Sequence, residues 1–181
     1  MPVVDDIYLG NPNLKKANVV QDFTQEQILE FMRCKANPVY FAKKHVKIVT
    51  LDHGLMPFEP YDFQENLINN FHRERFNICK MPRQTGKSTT VISYLLHYLL
   101  FNDSVNIGIL ANKAATAREL LGRLQTAYEN VPKWMQQGVL SWNRGSLELE
   151  NGSKILAAST SASAVRGMSF NILFLDEFAF V

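Results

Sequence analysis

At 181 residues the chain is long enough to bury one ordinary hydrophobic core without disulfide or metal staples. Apolar residues make up 46% and charged residues 20%, as in a globular protein, and a net charge of +2 means that any nucleic-acid-binding surface must be local. The cysteines, Cys34 and Cys79, stand in no metal-like spacing and read as reduced core thiols; no run reaches the ~20 apolar residues of a membrane span, and no secretory signal opens the chain.

Residues 1–22 are polar with scattered apolar positions and read as an irregular arm. Thr24 and Gln27 then have the spacing of a capping box, in which the two side chains satisfy backbone N–H groups at a helix start. Ile28, Phe31, Met32 and Lys35 follow at helical spacing, and Asn37 with Pro38 stops that helix. A second short helix is predicted over 38–44 and a strand over 46–51; Asp52, His53 and Gly54 are turn residues, with Gly54 at positive φ. Leu67, Ile68 and Phe71 mark one face of a further helix. Residues 76–81 have the length and apolar content of a buried strand. From Ser88 to Phe101, apolar residues cover more than one helical face, so this helix is expected to be largely buried. A parallel strand over 105–111 and a helix over 113–130, with Ala117, Leu120, Leu121, Leu124 and Tyr128 on one face, continue an α/β sheet built by crossovers. Alternation around Asn151 and Gly152 in 146–156 predicts a two-residue hairpin turn, and so one antiparallel ribbon inserted into a mostly parallel sheet. Residues 159–168 are small and polar, and an apolar strand then ends at Asp176 and Glu177.

Two stretches carry chemistry. Between the predicted strand 76–81 and the buried helix lie Met81, Pro82, Arg83, Gln84, Thr85, Gly86, Lys87, Ser88 and Thr89, the setting of a phosphate-binding loop. Gly86 lets the backbone approach phosphates, Lys87 adds a point charge at the β and γ groups, and the Ser88 hydroxyl can ligate Mg²⁺. Met81 stands where the usual pattern has a glycine. The second stretch delivers Asp176 and Glu177 to the strand end where α/β sheets bind ligands, Asp176 as a Mg²⁺ ligand and Glu177 to polarise an attacking water. Together the halves point to ATP or GTP. Hydrolysis also needs a cation at the γ-phosphate, and Arg83 within the loop or Arg166 acting on a neighbour can supply it. Gln64, ahead of the loop, is either a solvated polar residue or a donor and acceptor for the N6 and N7 edge of adenine.

These residues resemble the N-terminal ATPase region of the large terminase subunit of tailed bacteriophages. The resemblance rests on Arg83 and Gln84 ahead of Gly86, Lys87 and Ser88 without the first glycine, and on Gln64 after the aromatic Phe63. It continues in the strand 107–111, in Asn151, Gly152 and Ser153, in Val165, Arg166 and Gly167, and in Asp176 with Glu177. It implies a P-loop NTPase fold of the ASCE type, an α/β fold whose mostly parallel sheet is flanked by helices. An arm and helix over 1–40 would precede a partial ATPase domain over 41–181. The implied nucleotide-binding set is Gln64, Gln84, Thr85, Gly86, Lys87, Ser88 and Thr89; Lys87, Glu177, Arg83 and Arg166 are catalytic, and Ser88 and Asp176 hold Mg²⁺ beside ATP. The implied activity is an ATP-driven motor threading double-stranded DNA into a procapsid in the host cytoplasm, as a homo-oligomeric ring with a portal protein and a small terminase subunit, away from any membrane. Such subunits continue into further ATPase strands and a nuclease domain. This chain stops at Val181, so it reads as a truncated piece with little activity alone. Two other readings are a superfamily 1 or 2 helicase, which Asp176, Glu177, Phe178 and Ala179 fit less well, and an interaction fragment without catalysis.

Overall fold

The computed structural model describes residues 6–50, 52–161 and 167–177. The predicted irregular arm is in part ordered: β1 (Ile7–Tyr8) and β2 (Asn11–Lys15) form an antiparallel hairpin, and Leu14 is buried in the core. The cause lies far along the chain. Buried Gln136 accepts from the Lys15 N–H at 3.0 Å and donates to the Asn13 carbonyl at 2.9 Å, Asn11 donates to Glu129 at 2.9 Å, and Lys15 pairs with Glu150 at 3.7 Å, so an otherwise polar segment is tied down by distant polar partners. Thr24 caps α1 (Gln25–Ala36) as its spacing predicts, its hydroxyl accepting from Gln27 N at 3.2 Å while the Gln27 amide oxygen accepts from Thr24 N at 3.0 Å. Thr24→Ala is expected to cost about 1 kcal/mol, seen as a lower urea midpoint at unchanged slope. Asn37 closes α1 and its side chain accepts from Tyr40 N at 2.9 Å, opening α2 (Pro38–His45).

The strand predicted at 46–51 is β3 (Lys47–Thr50), and it pairs with an unanticipated β4 (Gly54–Pro57) across a turn in which Gly54 has φ +67°. Next, α3 (Asp62–Arg73) buries Ile68, and α4 (Lys87–Phe101) buries most of its residues, as its all-round apolar surface requires. β5 (Asn106–Ala111) and α5 (Ala114–Glu129) follow, and the five predicted apolar positions of α5 are all buried. A 3₁₀ turn (Lys133–Met135), β6 (Val139–Trp142), β7 (Ser146–Leu149), β8 (Lys154–Ser159) and β9 (Ile172–Leu175) complete the described elements. β5 to β9 make one mixed five-stranded sheet in the order β6-β7-β8-β5-β9, with β8 and β9 both parallel to β5 and with β6-β7-β8 antiparallel. Leu14, Cys34, Phe41 and Ile68 share one core with Leu96, Ile109 and Leu121, so the N-terminal helices and the sheet pack together. None of the described helices is long and apolar enough to cross a membrane.

Two predictions need correction. Residues 76–81 form no strand: Phe76 is 82% and Ile78 100% exposed, and Cys79 is exposed rather than in the core. Strand propensity stabilises only against a neighbouring strand. β9, at the edge of the described sheet, pairs only with β5 and does not reach this segment. The ribbon at 146–156 forms as the antiparallel pair β7 and β8, with β8 also the parallel partner of β5. Its turn, however, is longer than the predicted two residues. Leu149 N donates to the Ser153 carbonyl at 3.0 Å, which leaves Glu150, Asn151 and Gly152 as the loop, with Gly152 at φ +79° as a three-residue hairpin requires. The Asn151 side chain also reaches beyond the turn: it donates to the carbonyls of Leu99 at 3.2 Å and Asn102 at 3.0 Å, capping the C-terminal end of α4. Asn151→Ala loses these two bonds and the one its Oδ1 accepts from Ser153 N at 3.0 Å, at an expected cost of about 2–3 kcal/mol measured by denaturant unfolding.

Candidate functional site

The loop ahead of α4 is shaped by a short run of unusual backbone. Gln84 has φ +61° and Gly86, the residue preceding α4, is left-handed at φ +74°. The Gly86 carbonyl accepts from Thr90 N at 2.9 Å and from the Thr90 hydroxyl at 3.0 Å, so the helix begins immediately after the turn. The Thr85 hydroxyl donates to the Pro82 carbonyl at 3.0 Å and braces the loop from within. Lys87, Ser88 and Thr89 occupy the first turn of α4, half-buried, where backbone N–H groups have no partner inside the helix and the helix dipole is positive.

Gln64 is placed against this loop by α3. It is 3% exposed; its amide oxygen accepts from Tyr61 N at 2.9 Å, and its Nε2 donates to the Thr85 carbonyl at 3.3 Å. It is therefore no solvated surface residue, and it bridges the start of α3 to the loop. A methyl group on Gly86 would stand 2.5 Å from Gln64 Nε2, a measure of how closely the two pack.

Asp176 follows β9, and its N–H donates to the Leu110 carbonyl at 2.8 Å, which continues the parallel ladder to the C-terminal end of β5. Burial pushes the Asp176 carboxyl above its ordinary range, and the Glu177 carboxylate pushes it the same way. Lys87, a backbone N–H of Glu177, and Arg123 pull it back. Lys87 and Asp176 are thus in electrostatic reach of each other although 89 positions separate them, counted from 87 to 176. Glu177 is exposed, with φ +51°.

Arg83 and Gln84 are exposed on the outer turn of the loop. Arg166 lies outside the described residues. Sequence reading missed Arg123, on α5, whose field reaches Asp176. It also pairs with Glu119 at 2.6 Å, four residues earlier, and that spacing is the ordinary mark of a solvated helix face. Thr90 was missed as well; a hydroxyl one turn into a helix is common, and only the Gly86 turn gives it a task.

This geometry defines a class before it defines a family: an α/β protein in which the first residue of a buried helix, a lysine, lies in electrostatic reach of a carboxylate at the end of a parallel strand. The fold is similar to that in the crystal structure of the HK97 bacteriophage large terminase, with a TM-score of 0.63 over 78% of this chain and 30% of that chain, at 17% identity. Residues 78–181 match the family described as terminase large subunit, T4likevirus-type, N-terminal. The chain belongs to this large terminase subunit family. The tripartite terminase subunit 3 proteins of two equine herpesvirus 1 strains, Ab4p and V592, are each 29% identical to it over 133 residues. That match covers 70% of this chain and 17% of the length of each relative.

Proposed function

We propose that the chain is the ATP-binding and ATP-hydrolysing part of a viral DNA-packaging motor, a P-loop NTPase of the ASCE type within a large terminase subunit. The observation that carries this reading is the left-handed Gly86 turn, which opens α4 with Lys87 in electrostatic reach of Asp176. The unpaired N–H groups of the first α4 turn, with those of Thr85 and Gly86, would cradle phosphate oxygens. Lys87 would neutralise the β and γ groups. Ser88 and Asp176 are oxygen donors of the kind Mg²⁺ takes, and the ion when bound would offset charge on the same phosphates. Glu177 would orient the attacking water, and Gln64 would hold the loop while offering its remaining N–H and lone pair to adenine. Arg83 in the loop, and Arg166 from a neighbour in a homo-oligomeric ring, would meet charge that develops in the transition state.

Hydrolysis would drive double-stranded DNA into a procapsid, with a portal protein and a small terminase subunit as partners in the host cytoplasm. The word tripartite in the names of the herpesvirus relatives supports a multi-subunit assembly. The test is titration of Mg·ATP against the chain and against Lys87→Ala. The expected result is saturable binding weakened at least about tenfold in the variant, the equivalent of one charge-assisted contact at ~1.5–3 kcal/mol. Equal affinity for both proteins would overturn the assignment.

A further inference from the structure

A second cluster of metal-ligating side chains lies away from this loop. Glu30 and Cys34 stand one turn apart on α1, and His45 is the last residue of α2. Their ligand atoms all lie within 4.8 Å of one another, with Cys34 Sγ 3.7 Å and His45 Nε2 2.7 Å from Glu30 Oε1. Cys34 Sγ donates to Glu30 Oε1 and His45 Nε2 pairs with the same oxygen, so thiol, imidazole and carboxylate converge on one point between the two helices. We propose that Glu30, Cys34 and His45 form a zinc-binding site that staples α1 to α2.

Bonds of about 2.0–2.3 Å to tetrahedral zinc hold sulfur, nitrogen and oxygen donors roughly 3.3–3.8 Å apart. The Cys34–Glu30 separation of 3.7 Å already meets that, the His45–Glu30 pair must open from 2.7 Å by roughly half an ångström, and the third pair, within 4.8 Å, must close by no more than about 1 Å. A thiolate and a carboxylate together balance the charge of a divalent ion, so the occupied site is neutral overall, which is what a mostly buried position tolerates. Zinc would take the place of the thiol proton, which leaves to solvent, and of the proton between His45 Nε2 and Glu30 Oε1, which moves to His45 Nδ1 or to solvent, with no change of oxidation state. The carboxylate is already held: the Tyr40 hydroxyl donates to both its oxygens, at 3.2 and 3.0 Å, and Arg33 donates to the Tyr40 oxygen at 3.4 Å. The Glu30 and His45 side chains keep 23% and 10% exposure, enough for an ion to enter and for water to fill a fourth position. Ligands of three types split between two helices leave no cysteine spacing to read in the sequence.

The test uses the full chain carrying Cys79→Ser, so that Cys34 is its sole thiol, with cobalt(II) as the spectroscopic probe and zinc as competitor. The expected result is one equivalent of cobalt giving a thiolate charge-transfer band and four-coordinate d–d bands, both bleached by zinc. Cys34→Ser should abolish the charge-transfer band, and His45→Gln should weaken binding at least about tenfold, since each direct ligand matters no less than the groups that orient it. Glu30→Gln, which can keep the Tyr40 contact, gives the same reading without removing the buried thiol. Absence of the charge-transfer band in the folded Cys79→Ser protein would overturn the proposal, and so would a band indifferent to both His45→Gln and Glu30→Gln.

Discussion

Gly86→Ala is expected to lower the affinity for Mg·ATP by about 30-fold or more, from ~2–3 kcal/mol of added strain, while the fold persists. An alanine held at φ +74° costs about 1–2 kcal/mol in the left-handed region. Its methyl group would also stand 2.5 Å from Gln64 Nε2. Gln64 is buried and engaged at both ends of its amide, so moving it forfeits the bond to the Thr85 carbonyl, worth about 1 kcal/mol. The loop relieves this strain by leaving the turn that opens α4, and the penalty then falls on the binding-competent state rather than on the core. Titration beside a thermal melt separates the two. Unchanged affinity, or loss of the folded state, would show that the Gly86 turn is not what presents the phosphate site.

Asp176→Asn is expected to remove the Mg²⁺-dependent part of nucleotide binding without lowering stability at pH 7. The Asp176 carboxyl titrates above its ordinary value of 3.8, because burial and Glu177 disfavour the charged form. A group whose folded value is raised contributes stability that is fully present below the unfolded value and is lost as pH rises through the folded one. At neutral pH the ionised Asp176 is therefore a strain on the fold that asparagine relieves. The variant should melt at or above the wild-type temperature at pH 7, and the difference should close as pH falls through the folded value of Asp176 towards 3.8. A variant less stable at pH 7 that still binds Mg·ATP normally would contradict the role given to this carboxylate.

Sequence reading was most informative where local chemistry and burial agree. The Thr24 cap, the all-round apolar α4 and the one-faced α5 could be read because each pattern specifies its own helix. The turn at Gly86 and the place of Asp176 just after an apolar strand could be read because each adjoins an element with a pattern of its own, α4 and β9. What escaped depends on distant partners. The polar N-terminal hairpin is held by Glu129, Gln136 and Glu150, and Asn151 serves the end of α4 as well as its own turn. Residues 76–81 fail as a strand for the same reason: apolar content cannot supply the neighbour a strand needs. Gln64 could be singled out by its place ahead of the loop, but its part in bracing the loop could not, since that depends on Tyr61 and Thr85 standing at either end of its amide.

The most direct test of the central claim is a crystal structure of the chain with Mg²⁺ and a non-hydrolysable ATP analogue. The triphosphate is expected at the N-terminus of α4, with Lys87 against its terminal phosphates and the metal between the Ser88 hydroxyl and the Asp176 carboxylate. A nucleotide bound elsewhere, or seated at α4 with Asp176 turned away from the metal, would contradict it.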